Sequence, residues 1–137
     1  MGYEVLDVSG DAGIRVAAGS AEDAFASAAM GMFSLITDLD KVEEKESQAI
    51  TYENDTLEGL LVGFLNELVF RFDAYGFIAK RVKIDGLGGD RIRATVYGET
   101  FDPGRHARGL LIKAATFHNL KVENTDGKWR MEVIFDI

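Results

Sequence analysis

The sequence predicts an α+β fold. Two amphipathic helices should pack on a largely antiparallel β-sheet system, in the order β-β-α-β-α-β-β-β-β-β. Three observations predict it. The stretches from Ala21 to Thr37 and from Leu57 to Tyr75 carry apolar residues at i, i+3, i+4 and i+7. The other apolar runs are short and bounded by Gly, Asp or Asn turn chemistry. After Tyr75-Gly76 the remainder reads as short strands only.

Tyr3-Glu4-Val5-Leu6-Asp7-Val8 reads as the first strand, and Gly10-Asp11-Ala12-Gly13 breaks it with turn chemistry. Ile14 to Ala18 resumes as a second strand, ended by Gly19. Ser20 is a good N-cap, and Glu22 and Asp23 favour the positive end of a helix dipole. Ala24, Phe25, Ala28, Ala29, Met32, Phe33, Leu35 and Ile36 then mark one helix face, with small residues suited to close packing on a sheet. Lys41 to Tyr52 reads as an edge strand. Asp55 or Thr56 caps the second helix, whose apolar face is Leu57, Leu60, Leu61, Phe64, Leu65, Leu68 and Phe72. Ile78–Asp85 and Arg91–Glu99 flank a hairpin at Gly86-Leu87-Gly88-Gly89-Asp90. Leu110–Thr116, Leu120–Asn124 and Trp129–Asp136 follow, the last two joined by the Asp126-Gly127 hairpin signal.

At 137 residues the chain is one domain, residues 1–137, long enough to build a core without staples. No cysteine is present, which excludes disulfides, thiolate metal sites, Fe–S clusters and cysteine nucleophiles. No run reaches the ~20 apolar residues of a membrane-spanning helix, and the N-terminus has no signal-peptide pattern. A cytoplasmic protein without membrane partners is expected. The net charge of −8 is unevenly spread: residues 1–75 hold 15 acidic against 4 basic side chains, and the rest hold 8 against 11. Such an acidic body repels nucleic acid and suits a basic protein partner or a cation, so strong direct nucleic-acid binding is not expected.

The chain carries no self-contained catalytic kit. There is no P-loop and no nucleophile elbow, and Gly86-Leu87-Gly88-Gly89 does not open a helix. His106 and His118 lack the local spacing of a zinc pair; His106 beside Pro103-Gly104 reads as a loop residue, and His118 follows a strand end. Carboxylates are more informative. Asp7 and Asp11 bracket a glycine-rich turn, and Asp136 adjoins the carboxylate of Ile137. If the last strand pairs beside the first, Asp11, Asp136 and the Ile137 carboxylate converge as a hard-oxygen site suited to Ca²⁺, Mg²⁺ or Mn²⁺. The alternative is that these are solvated acids at a turn and a chain end. Lys113, inside Leu110-Leu111-Ile112-Lys113-Ala114-Ala115, is either the solvent position of a strand or a cleft lysine. Glu67 reads as a solvated position on the polar side of the second helix.

In their order along the whole chain, several segments resemble the archease family. They are Tyr3-Glu4-Val5-Leu6-Asp7 with Asp11-Ala12-Gly13-Ile14; Phe33-Ser34-Leu35-Ile36-Thr37-Asp38; Leu65-Asn66-Glu67-Leu68; Tyr97-Gly98-Glu99-Thr100-Phe101-Asp102; Ile112-Lys113-Ala114-Ala115-Thr116-Phe117-His118; and Asp136-Ile137. The chain departs from the family pattern where Val8-Ser9-Gly10 stands for His-Thr-Ala, and where Phe117 stands for Tyr. Val8 cannot supply the hydrogen bonding or ligation of a histidine.

The resemblance implies an accessory protein of RtcB-type RNA ligases, which join RNA ends in tRNA splicing and repair. Such a protein promotes guanylylation of the ligase and its multiple turnover, and meets tRNA indirectly through the ligase. It also implies a divalent metal, Ca²⁺ first, on Asp11, Asp136 and the Ile137 carboxylate. Lys113, Asp7 and His118 are functional neighbours, and no catalytic residue is implied. The alternative expectation is a general chaperone or modulator of RNA-processing proteins. An enzyme in its own right is not expected.

Overall fold

The computed structural model describes residues 2–8 and 10–137, so Ser9 of the Val8-Ser9-Gly10 departure lies outside the described residues. Its elements are β1 (Tyr3–Val8), β2 (Asp11–Ala18), α1 (Ala21–Ile36), a 3-10 turn (Leu39–Lys41), β3 (Glu46–Glu53), α2 (Leu57–Tyr75), β4 (Phe77–Gly88), β5 (Arg91–Thr100), β6 (Ala114–Ala115), β7 (Lys121–Thr125) and β8 (Lys128–Asp136). The predicted α+β class and element order hold.

The caps act as the side-chain chemistry requires. The Ser20 hydroxyl accepts the Asp23 N–H at 3.1 Å, and Thr56, not Asp55, caps α2 by accepting the Gly59 N–H at 2.9 Å. Gly76 ends α2 at φ +72°, a left-handed conformation that favours glycine. Asp126 and Gly127, at φ +53° and +79°, make the tight turn between β7 and β8.

The strands form two sheets, all of whose pairings are antiparallel. One runs β1-β2-β8, with β6 and β7 sharing the far edge of β8; the other runs β3-β5-β4. β3 is an edge strand, as expected. Helix α1 contacts β1, β2 and β8 of the first sheet and β4 of the second. Its buried residues go nearly all round it, from Ala24 and Phe25 through Met30-Gly31-Met32-Phe33, as a helix packed on two sides requires. Helix α2 packs on β3, β4, β5 and β6. Phe25, Phe33, Phe64, Phe77 and Phe135 are among the largest side chains of the resulting core.

Four expectations change. Asp11, Ala12 and Gly13 are not turn residues but the first residues of β2. The edge strand begins at Glu46, because Leu39–Lys41 winds into a 3-10 turn capped by the Asp38 carboxylate. Gly86-Leu87-Gly88 continues β4, which leaves Gly89-Asp90 as the turn. The strand expected over Leu110–Thr116 shrinks to Ala114–Ala115. The N–H groups of Gly109 and Leu110 instead donate to Ile36 and Leu35 at the end of α1, both at 2.8 Å.

Candidate functional site

β2 and β8 pair as Ala12 with Phe135 and Ile14 with Val133, so the last strand lies beside the second and not beside the first. One step further in this register sets Asp11 opposite Asp136. Val8 pairs with Asp11, and Ala114 pairs with Asp136. Val8, Asp11, Asp136 and Ala114 therefore form a row across four strands. Strand alternation fixes its face. Ile14, Val16, Met131, Val133 and Phe135 point into the core, so this row lies on the outer face. Two rows along that face, Arg15 bridges Glu4 at 2.9 Å and Glu132 at 3.2 Å, and Lys121 reaches Glu132 at 3.5 Å. Burial pushes the Glu132 carboxyl up, but the hydrogen bond from Arg15 and the charges of Lys121 and Arg15 hold it below the usual range.

The acidic row has no such compensation. Among the described residues no Lys, Arg or His lies within 4.0 Å of Asp11 or Asp136, in contrast to the Glu4–Arg15–Glu132–Lys121 row. Directly opposed carboxylates across a strand pair repel. Ile137 packs against the core, which fixes the main chain beside Asp136. The Lys113 N–H donates to the Asp136 carbonyl at 2.8 Å, so Lys113 belongs to the same end of the sheet. Its side chain is exposed, and no carboxylate lies within 4.0 Å of it among the described residues.

Two other expected neighbours lie elsewhere. Asp7 pairs with Ala12, whose side chain is in the core, so Asp7 belongs to the opposite face from Asp11. His118 is exposed, and its ring contacts the Asn119 amide at 3.3 Å. Among the described residues no three His, Cys, Asp or Glu side chains form a metal-holding group. A cation at the acidic row would have Asp11 and Asp136 as its side-chain donors and would need a further oxygen, which the Ile137 carboxylate can give. All these donors are hard oxygens, a set that fits Ca²⁺, Mg²⁺ or Mn²⁺ in kind.

The sequence reading missed a second charged centre. Glu99 on β5 and His106 are buried, at 4% and 2% exposure. Glu99 accepts the Glu43 N–H at 2.6 Å and an Arg105 guanidinium N–H at 2.5 Å. The Asp102 N–H donates to Nδ1 of His106 at 2.8 Å, which leaves Nε2 to carry the proton and face Glu99 at 3.2 Å. Burial pushes Glu99 up, but the Glu43 N–H, Arg105 and His106 outweigh it and hold its pKa at about 2. The spacing of Glu99, Asp102 and His106 was visible in the sequence. Only the folded loop shows that they close on one another.

The archease protein family model matches residues 3–137. The chain belongs to the archease family. The protein archease of Methanopyrus kandleri is 38% identical over the full length of both chains, and that of Pyrococcus abyssi is 36% identical over 98% of each. The solution structure of a Methanobacterium thermoautotrophicum protein superposes with a TM-score of 0.84 at 34% identity, covering 99% of both chains. A crystal structure from Thermotoga maritima, described as an archease and possible chaperone, shares the fold at a TM-score of 0.67 and 19% identity, covering 96% of this chain and 94% of that one. The two-helix, two-sheet architecture is thus an archease fold. No helix among the described residues is long and apolar enough to cross a membrane.

Proposed function

We propose that this archease is a cytoplasmic, non-catalytic, metal-binding activator of an RtcB-type RNA ligase, promoting its guanylylation and repeated turnover in tRNA splicing or repair. The observation that supports the reading is the β2–β8 register, which ends at Ala12 with Phe135 and, extended by one step, brings Asp11 level with Asp136 on the outer face of the sheet. Two uncompensated carboxylates side by side are costly without a cation, and an outer face leaves them open to a partner. A divalent ion there would offset the repulsion and could be shared with, or passed to, an anionic ligand of the partner. Asp11 and Asp136 hold the charge, the Ile137 side chain anchors the neighbouring main chain, and Lys113 lies at the same end of the sheet through its N–H on the Asp136 carbonyl. Family membership supports the accessory role.

The test is guanylylation of the RtcB-type ligase from the same organism, with and without this protein. Asp11→Ala and Asp136→Ala should each remove most of the stimulation. Full stimulation by both variants would overturn the reading. The broader chaperone reading rests on the exposed apolar residues of α2 and the 110–117 segment. It predicts suppression of aggregation of unrelated clients, which Asp11→Ala would leave intact.

A further inference from the structure

Six large apolar side chains stand out as exposed among the described residues, and five lie on α2 or on the segment between β5 and β7: Phe70 (54%), Tyr75 (66%), Leu110 (39%), Leu111 (68%) and Phe117 (63%). The sixth, Val5, lies apart on β1. Contacts of the segment from Phe101 to Phe117 tie it to α2 at two levels. Phe101 stacks edge-on against Phe72 near the end of α2, with centroids 6.0 Å apart, and Arg108 lies over the Phe101 ring. Further along, the Asn66 amide clamps Ala115, donating to its carbonyl at 3.1 Å and accepting its N–H at 2.7 Å. Phe117 then walls a hollow of about 380 Å³ with Val62, Gly63 and Asn66. The segment therefore runs antiparallel to α2. Between these two anchors the N–H groups of Gly109 and Leu110 donate to Ile36 and Leu35, so Leu110 and Leu111 stand where the segment passes from the end of α1 to α2; on α2, Phe70 lies one helical turn past Asn66. Tyr75 extends the stripe by stacking edge-on against Phe70, with centroids 6.0 Å apart.

The stripe carries its own polarity. Lys113 sits between Leu111 and Phe117, and Asp73 lies on the α2 stripe three residues past Phe70; both are exposed and lack an ion-pair partner among the described residues. Arg71 and Glu67, on the adjoining stripe, neutralise one another at 2.8 Å. An apolar strip of this kind on an otherwise charged surface marks a protein contact. The complement it calls for is an apolar ridge with an acidic residue at Lys113 and a basic one at Asp73. Because the Lys113 N–H is bonded to Asp136, one end of the strip is continuous with the acidic row.

We infer that the Tyr75–Phe70–Leu111–Phe117 strip is the docking surface for a partner protein whose apolar ridge is flanked by those opposite charges. This rests on the proposed function, which makes that partner the RtcB-type ligase. The strip supplies contact area, and the acidic row beside it does the activating work.

The experiment measures binding of the purified ligase from the same organism by calorimetry. It compares the full chain with Leu111→Asp, Phe117→Asp and, as an exposed apolar control off the strip, Val5→Asp. All three positions are more than half exposed, so the variants should melt like the parent. Leu111→Asp and Phe117→Asp should each weaken binding at least tenfold, and Val5→Asp should leave it within about twofold. Equal affinity for all four proteins would overturn the docking surface while leaving the activator role standing. No binding by the parent chain would overturn both. A parent dimer in sedimentation that Leu111→Asp converts to monomer would assign the strip to a second copy and also overturn the inference.

Discussion

Asp11 and Asp136 lie one step beyond Ala12 and Phe135, the last pair of the β2–β8 ladder, and on the side of the sheet away from the core. Two elements from opposite ends of the chain thus bring like charges together. The metal-binding reading makes that repulsion the source of affinity.

Neutralising one member of the pair should separate its two effects. Without divalent ions, Asp136→Asn should stabilise the fold by roughly 0.5 kcal/mol at low salt, from relieved repulsion. With a cation at a hundredfold excess over its Kd, the parent should gain about 2.7 kcal/mol and the variant almost none. Thermal melts with and without Ca²⁺, Mg²⁺ and Mn²⁺ read both effects. A parent melt that none of the three ions moves would remove the metal site.

Extending the chain beyond Ile137 should weaken metal binding about tenfold or more, since the main-chain carboxylate becomes a neutral amide. A tag before Tyr3 should leave it unchanged. Calorimetry on the two tagged forms decides whether Ile137 belongs among the donors.

Val8 lies directly across the first hairpin from Asp11, at the position where the family pattern has histidine. Val8→His places an imidazole beside the acidic row. It should raise Mn²⁺ affinity about tenfold at pH 7.5 with little change for Ca²⁺, because a neutral imidazole is a better ligand for the softer ion. The gain should fade below pH ~6.5, where histidine protonates. A gain equal for both ions would show that position 8 does not reach the cation.

Glu99 makes a different, pH-linked prediction. Its folded pKa of about 2 lies below its ordinary 4.5, so the charged form is favoured by folding. That stabilisation is present in full above pH 4.5 and is lost as pH falls through 2. Glu99→Gln should cost ~1–3 kcal/mol at pH 7 by breaking buried hydrogen bonds with Arg105 and the Glu43 N–H. The gap between variant and parent should narrow from pH 4.5 downwards, as urea unfolding at several pH values would show. A gap independent of pH would mean that Glu99 does not stay ionised in the fold.

The sequence by itself determined the local elements. Ser20 and Thr56 cap, the 3.6-residue spacing winds α1 and α2, and Asp126-Gly127 turns, because each of these is a choice made within a few residues. It also determined the kinds of donor available, since a chain without cysteine and with acids at Asp11 and Asp136 offers oxygen. Tertiary structure decided which of these elements meet. Leu110-Leu111-Ile112 has strand composition, but β6 and β7 share one edge of β8, and the segment's hydrogen bonds go to the end of α1 instead. Asp7 and Asp11 looked equivalent around one turn until the pairing gave them opposite faces, a consequence of the two-residue period of a strand. Glu99 and His106 became one buried network only when a loop closed. The facing of Asp11 and Asp136 depends on the register between the second strand and the last, and no local pattern in either strand encodes that register.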